Sequence, residues 1–150
     1  WVDLGSEYRA PELSSALLYS QLLKVKNIQI KRKKHWSIFK NLIDKLSTEK
    51  FYLIKPNKNS TSAYHILALI FKTTKLANDF KDIFKHKNVA ATFHYVPLHK
   101  SKMGKKFCRY KLPITENIYN RVVRLPLYSE LKKQEVNKIS SLIKKFIITK

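Results

Sequence analysis

The sequence is short of several residue types on which common protein chemistries depend. Among its 150 residues there are two glycines and one cysteine. The glycines, Gly5 and Gly104, lie far apart in the chain, which excludes a glycine-rich loop of the kind that cradles phosphates. The lone Cys108 excludes an internal disulfide and a paired-cysteine metal motif. A reducing cytosol, and hence a cytoplasmic location, is the expected compartment.

Long apolar runs and metal-ligand clusters are missing as well. The longest apolar run, residues 66–71, is far too short to span a bilayer, so the sequence predicts no membrane partner. His94 and His99 are separated by Pro97, a spacing that does not hold two imidazoles together on a regular strand. The sequence therefore predicts no metal site.

Acidic residues are scarce, with ten of them against 31 lysines and arginines and a formal charge of +21. Such an excess is typical of nucleic-acid-binding proteins, so a basic nucleic-acid-binding module stays open as the alternative function. Two features disfavour nucleic acid as the partner. Most of the basic residues are lysines, which recognise phosphates and bases less specifically than arginine does, and they are spread along the whole chain. The one dense cluster, residues 31–34, is interpreted as a solvated helix face.

Hydrophobic periodicity predicts an α+β fold. Apolar residues at helical spacing predict a long helix over residues 11–46 that bends near Asn27, a helix that ends near Asn88, and a last helix over residues 136–146. Segments rich in β-branched and aromatic residues predict strands at residues 51–54, 63–71 and 89–96. Between them we expect a basic loop at residues 100–113 and a short helix that Thr115 caps and that reaches Val123. This order predicts helices on one face of a small mixed sheet.

The most informative segment is residues 94–99, with the sequence His-Tyr-Val-Pro-Leu-His. It places His94, Tyr95 and His99 after a predicted strand, where loops on α/β scaffolds carry binding sites. Composition alone leaves open that Tyr95 packs and that both histidines are ordinary loop residues. The segment resembles the HY-x-PLH motif of the DegT/DnrJ-type sugar-nucleotide aminotransferases, which depend on pyridoxal phosphate.

Three further blocks resemble the same family and follow in its order. They are residues 1–9 with residues 11–22, similar to G-x-N-x-R…AA…QL; residues 103–107, similar to PAG-x-x-F; and residues 112–116 with 121–128, similar to LP-x-TE…R-x-x-RLPLY. Four blocks in order, at similar spacings and over nearly the whole chain, are stronger evidence than any one of them.

The resemblance implies the C-terminal part of a fold-type I aminotransferase. Residues 1–46 would end the large domain and include the connecting long helix, and residues 47–150 would form the small C-terminal domain. The chain opens on Trp1 rather than methionine, which also leads us to expect a piece of a longer protein. The resemblance further implies a homodimer, pyridoxal phosphate as cofactor, glutamate as amino donor and a dTDP-linked 4-keto-6-deoxy sugar as substrate.

The family's Schiff-base lysine belongs to an earlier part of its sequence, so the resemblance implies no catalytic residue here. We expect no specific binding of pyridoxal phosphate to this chain alone. We also expect the chain alone to be inactive, because the amine that forms the Schiff base is missing. Lys75 lies in a family-like Thr-Lys pair, but no glycine-rich segment follows it, so it is rejected as the Schiff-base residue.

The resemblance assigns a few binding residues. Arg9 would reach the cofactor phosphate of the partner subunit. Glu7 departs from the family's neutral residue, and a carboxylate beside a phosphate is repulsive. The residues implied to line the substrate pocket are His94, Tyr95 and His99. Those interpreted as structural, joining the last helices to the sheet, are Arg124 and Tyr128.

Overall fold

A computed structural model describes residues 8–107 and 110–148. Within them the helices are α1 Glu12–Leu22, α2 Val25–Leu46, α3 Thr74–Lys85, α4 Gly104–Phe107, α5 Pro113–Tyr119 and α6 Lys133–Ile148. The strands are β1 Phe51–Leu53, β2 Leu67–Phe71, β3 Thr92–Phe93 and β4 Val122–Leu125, and a 3₁₀ turn covers Leu98–Lys100. None of the described helices is both long and apolar enough to cross a membrane.

The four strands form one antiparallel sheet in the order β1-β2-β4-β3. Strand β2 lies between β1 and β4, with Phe71 opposite Phe51 and Leu67 opposite Leu125. Every residue of β2 is buried, because both faces of this central strand are covered. Successive side chains of a strand point to opposite faces, so β2 contributes to two separate apolar layers.

One face of the sheet, which we call the core face, packs against α2, α3 and α6. Four aromatic rings lie at its centre with centroids 4.9–6.3 Å apart: Phe51, Phe71, Phe80 and Phe146. These separations and tilted or edge-to-face angles are those that aromatic pairs prefer. The core face therefore holds most of the buried apolar surface of the described residues.

Helix α3 shows how the sequence builds this layer. The Thr73 side chain caps its N-terminus by accepting a hydrogen bond from the Leu76 amide at 3.2 Å. Ala77, Phe80 and Phe84 follow at helical spacing and are fully buried against the sheet. The predicted helix is confirmed here.

The opposite face of the sheet, which we call the outer face, carries a smaller apolar layer. Ala68, Ile70 and Val122 are buried there, and the side chains packed against them are those of Ile66 and Ile118. Ile118 belongs to α5, a helix of two turns, so this face has a thin cover.

Several predictions of secondary structure were wrong in detail. The long helix is interrupted at Leu23 and Lys24 rather than bent near Asn27, and it becomes α1 and α2. The sheet is antiparallel rather than mixed, because residues 122–125 form β4 between β2 and β3. The first two of these residues were expected at the end of a helix. Residues 100–113 are not all loop, since α4 lies among them, and α5 begins at Pro113 instead of at a cap on Thr115.

The strands at residues 63–71 and 89–96 are confirmed in position but shorter than predicted, as β2 and β3. The C-terminal half of α2 contributes Trp36, Phe39 and Ile43 to the core face. The end of α2 at Leu46 coincides with the predicted boundary between the two domains. That boundary stays a prediction, because the described residues contain one main core.

Candidate functional site

A cavity of about 450 Å³ lies on the outer face of the sheet. Its floor is the apolar layer that includes Ala68, Ile70 and Val122. His65 and His94 are among the polar residues at its edge. An apolar pocket with a few polar groups is the usual form of a small-molecule site, which makes this cavity the candidate site.

The segment after β3 brings the His94 side chain to this cavity, with the Tyr95 ring next to it. The His94 ring lies 5.0 Å from the Tyr95 ring, centroid to centroid. Tyr95 has a φ of 55°, in the left-handed region that costs a non-glycine residue about 1–2 kcal/mol. The Arg124 guanidinium carbon lies 5.3 Å from the centre of the Tyr95 ring, within the range of a cation–π contact. Non-glycine residues with such backbone angles concentrate at binding sites.

His99 has a different environment from the other two predicted pocket residues. Its side chain is 9% exposed, and its Nε2 atom lies 3.3 Å from Oε1 of Glu116. Lys100 donates to Oε2 of the same carboxylate at 3.0 Å, and the Leu112 amide donates to Oε1 at 3.2 Å. Glu116 thus joins the PLH segment to the start of α5, and we call these contacts the Glu116 clasp.

The clasp also sets the protonation of its members. The Lys100 ammonium, with the Leu112 amide next, holds the pKa of the Glu116 carboxyl below its usual value. The same hydrogen bond from Lys100 to Glu116 raises the pKa of Lys100. The carboxylate and the ammonium are therefore both charged at neutral pH, and they form an ion pair.

Of the residues predicted to bind substrate, His94 lines the cavity, Tyr95 lies beside it, and His99 is engaged with Glu116. Arg9, predicted to bind the cofactor, lies in an exposed segment before α1 and does not line this cavity. Glu7 lies outside the described residues. These binding roles stay predictions.

Sequence reasoning missed three residues near the cavity. Glu116 was noted only as part of a motif, although the carboxylate that follows a Leu-Pro helix start is a capping signal. Arg124 was interpreted as structural, but it lies on the outer face beside Tyr95. His65 lines the cavity, but no signal in its local sequence indicates that place.

Tyr128 has the structural contacts that were expected of it. Its hydroxyl donates to Glu135 Oε1 at 3.1 Å, and Glu135 Oε2 accepts from the Lys132 amide at 2.7 Å. This carboxylate caps the first turn of α6. Burial, with Glu135 as the next cause, raises the pKa of Tyr128.

The basic cluster at residues 31–34 does not form a single free face. Lys31 pairs with Glu130 at 2.9 Å, and the ammonium of Lys33 lies 5.9 Å from the centre of the Tyr64 ring. The Nε atom of Arg32 is buried. Lys31 and Lys33 are thus engaged in intramolecular contacts, which gives no support to a nucleic-acid site here. Among the described residues no group of three or more histidine, cysteine or acidic side chains could hold a metal.

Comparison with known proteins agrees with the motif blocks. The model of the DegT/DnrJ/EryC1/StrS aminotransferase family matches residues 1–144. The chain belongs to this family. The prediction of the family is thereby confirmed, as is the α+β architecture of the C-terminal part of a fold-type I aminotransferase.

Three relatives illustrate the match. An uncharacterized protein of Methanocaldococcus jannaschii is 23% identical over 154 residues, which cover 97% of this chain and 39% of that protein. A dTDP-3-amino-3,6-dideoxy-alpha-D-galactopyranose transaminase of Aneurinibacillus thermoaerophilus is 25% identical over 83 residues, 55% of this chain and 23% of the enzyme. The structure of PseC, a Helicobacter pylori aminotransferase of pseudoaminic acid biosynthesis, superposes with a TM-score of 0.82 at 20% identity, covering 97% of this chain and 39% of PseC.

The chain therefore spans about two fifths of the length of the first relatives that it matches. Members of this family are aminotransferases that modify sugars, and the family depends on pyridoxal phosphate. What this chain contributes to such an activity depends on whether its own residues fit that cofactor.

Two described lysines, Lys75 and Lys55, lack the surroundings that attachment of pyridoxal phosphate requires. Attachment of the cofactor requires a lysine in a pocket, with an acid near the pyridine nitrogen. Lys75 lies in the first turn of α3, is 86% exposed and pairs with Asp79 at 3.2 Å. Lys55 lines the cavity, but it is 56% exposed and pairs with Asp44 at 3.3 Å. Neither amine has the enclosed surroundings of a Schiff-base residue.

Proposed function

We propose that this chain supplies the sugar-nucleotide side of a pyridoxal-phosphate-dependent aminotransferase. The complete enzyme would transfer an amino group from glutamate to a dTDP-linked 4-keto-6-deoxy sugar, as a cytoplasmic homodimer. The chain alone would be inactive. The observation that supports this most is the outer-face cavity, which carries His94 of the recognised motif on an apolar floor within a chain of this family.

The chemistry of the cavity suits a sugar. His94 and Tyr95 offer an imidazole and a phenol, each able to donate or accept a hydrogen bond with a hydroxyl or phosphate oxygen. The floor of Ala68, Ile70 and Val122 excludes water from one side of the ligand. The Glu116 clasp positions the segment that carries His94 and Tyr95, since it fixes residues 99 and 100 just after them.

The position of the keto group is a finer proposal. The motif blocks of this sequence resemble those of dTDP-4-amino-4,6-dideoxygalactose transaminase, an enzyme of enterobacterial common antigen synthesis, which favours a 4-keto sugar. The relative from Aneurinibacillus is a 3-amino-sugar transaminase. In the complete protein, comparison of 4-keto and 3-keto dTDP-sugars as amino acceptors decides between them.

Arg9 remains the proposed cofactor-side residue of the chain. In a dimer with active sites at the interface, its guanidinium would reach the phosphate of the pyridoxal phosphate held by the partner subunit. In the complete protein, Arg9→Ala would then weaken binding of the cofactor, whereas His94→Ala would weaken use of the sugar nucleotide more than the half-reaction with glutamate. Loss of cofactor binding in the His94 variant would contradict the assignment of the cavity.

Binding of a dTDP-linked 6-deoxy sugar to this chain tests the proposed function directly. We expect His94→Ala to weaken binding by roughly tenfold, the size of one or two lost hydrogen bonds to a charged ligand. His86→Ala is the matched control, because His86 is exposed at the C-terminal end of α3, where its ring contacts the Asp82 carbonyl, and it does not line the cavity. Equal binding by both variants would refute the role of His94.

A further inference from the structure

Two arginines of the R-x-x-R motif have opposite environments. Arg121 donates to three backbone carbonyls: from Nε to Asn117 at 2.8 Å, and from one terminal nitrogen to Phe71 and Lys72, each at 3.2 Å. These bonds tie the end of α5 to the end of β2. Arg121 is thus a structural residue whose donors are in use.

Arg124, three residues later, has donors that the described protein atoms do not use. Its Nε atom is buried without a hydrogen-bond partner. The guanidinium lies beside the Tyr95 ring, and this cation–π contact uses none of its N–H groups as hydrogen-bond donors. A buried donor without a partner is unfavourable, and a guanidinium with free planar donors matches an oxyanion.

The surroundings of Arg124 form a second cavity beside the candidate site. This cavity of about 250 Å³ is lined by His65, Thr92 and Arg124, among others, and it shares His65 and Ile66 with the larger one. No described carboxylate lines either cavity. The larger cavity therefore offers an apolar floor with His94 at its edge. The smaller cavity beside it offers the guanidinium of Arg124, the imidazole of His65 and the hydroxyl of Thr92.

From this geometry we infer that Arg124 and His65 form a phosphate subsite, which binds the diphosphate of the sugar nucleotide beside His94. Guanidinium, imidazole and the Thr92 hydroxyl would donate to the phosphate oxygens, and the Tyr95 ring holds the guanidinium in place. The assignment of diphosphate rests on the proposed function, whereas the anion subsite rests on the geometry alone.

Inorganic pyrophosphate tests the subsite without the sugar or the base. We expect the chain to bind pyrophosphate, and Arg124→Met to weaken this binding by roughly tenfold or more, the effect of a lost charge-assisted contact. Met keeps an apolar stem against Tyr95, which preserves packing. His65→Gln, on an exposed residue, should also weaken binding. The His65→Gln variant still tests the subsite if circular dichroism shows that Arg124→Met folds poorly.

Lys133→Gln is the matched control for charge. It removes one positive charge at the exposed start of α6, on the core side of the sheet, and we expect it to leave the Kd for pyrophosphate unchanged within about twofold. Equal weakening in Lys133→Gln and Arg124→Met would show non-specific attraction to a very basic protein and would overturn the subsite.

A parallel titration with the dTDP-sugar separates the two proposals. If Arg124→Met weakens binding of both pyrophosphate and the dTDP-sugar, the diphosphate assignment is supported. If it weakens pyrophosphate alone while His94→Ala still weakens the dTDP-sugar, the proposed function stands and the diphosphate assignment is overturned. If it weakens pyrophosphate and His94→Ala has no effect on the sugar nucleotide, the anion subsite stands and the proposed function fails.

Discussion

The two faces of the sheet use the same strands for different purposes. On the core face, β1 and β2 contribute Phe51 and Phe71 to a closely packed aromatic cluster. On the outer face, the alternate residues of β2, Ala68 and Ile70, form the floor of a cavity. Because side chains alternate along a strand, each short segment both stabilises the fold and shapes the site.

The difference shows where ligand binding can be placed without loss of folding stability. The core face is covered by three helices, and its aromatic rings leave little space between them. The outer face has the thin cover of α5, and it carries His65, His94 and Arg124 around its cavities. If this division is correct, substitutions on the two faces should have separable effects on stability and on binding.

The largest expected effect is on the core face. Phe71→Ala should lower the free energy of unfolding by about 3–5 kcal/mol, since it removes a fully buried ring and leaves a cavity. Ile70→Ala, one residue away, should cost about 2 kcal/mol, because its side chain already borders an open cavity. Urea unfolding of both variants measures the difference. An equal loss of unfolding free energy in the two variants would contradict the proposed difference between the core face and the outer face.

The next effect concerns α1, which contributes no buried residue. Leu17 and Leu22 are 63% and 55% exposed, and we expect such apolar surface to make the chain associate in solution. Leu17→Glu with Leu22→Glu should shift the chain toward monomer in size-exclusion chromatography while its Tm stays unchanged. A wild-type chain that is a monomer and melts cooperatively would contradict this expectation.

A smaller effect is expected at the clasp. Glu116→Gln should lower the Tm, because it weakens the contacts with Lys100 and His99; Glu130→Gln, which removes the exposed Lys31 pair, should change the Tm less. Thermal melts that show the reverse order would contradict the structural role of Glu116.

The pH dependence of stability gives the same clasp a signature with a defined sign. The pKa of Glu116 is lowered in the folded state, so its contribution is present above the ordinary glutamate pKa and is lost as pH falls through the lowered value. The raised pKa of Lys100 works in the other direction: its contribution is lost as pH rises through that value. In the Glu116→Gln variant, the part of the fall in unfolding free energy at acid pH that comes from protonation of Glu116 should be absent. Urea unfolding of both proteins at a series of pH values measures this difference.

The smallest expected effect is on cofactor chemistry. Incubation of this chain with pyridoxal phosphate and borohydride should label many lysines at low occupancy, because neither Lys55 nor Lys75 has an enclosing pocket or a free amine. Mass spectrometry of the peptides measures the distribution. A single dominant site together with measurable amino transfer would contradict the assignment of this chain to the substrate side.

The sequence was sufficient for the family, the α+β class and the amphipathic helices, because those depend on motifs and on apolar periodicity. It was insufficient for β4. The residues Val-Val-Arg-Leu at 122–125 are too few to show a strand period, and the predicted helix extends into the first two of them without a break. The interruption between α1 and α2 was also misplaced, since no glycine or proline marks Leu23 and Lys24.

The site was predictable only in part, for a related reason. The motif at residues 94–99 singled out His94, which lines the cavity, but the different position of His99 depends on Glu116, seventeen residues later in the chain. Arg121 and Arg124 look equivalent in a sequence motif. The register of β4 distinguishes the two arginines. It places Val123 and Leu125 on the core face and Arg124 on the outer face.

The most direct test of the division between the two faces is a map of backbone amide shifts on titration with a dTDP-linked 6-deoxy sugar. We predict that the shifts concentrate at His65, Thr92, His94 and Arg124, around the two outer-face cavities. Amides of α3 and α6 on the core face should not change. Shifts centred on α3 or α6, or no saturable shifts at all, would contradict the account.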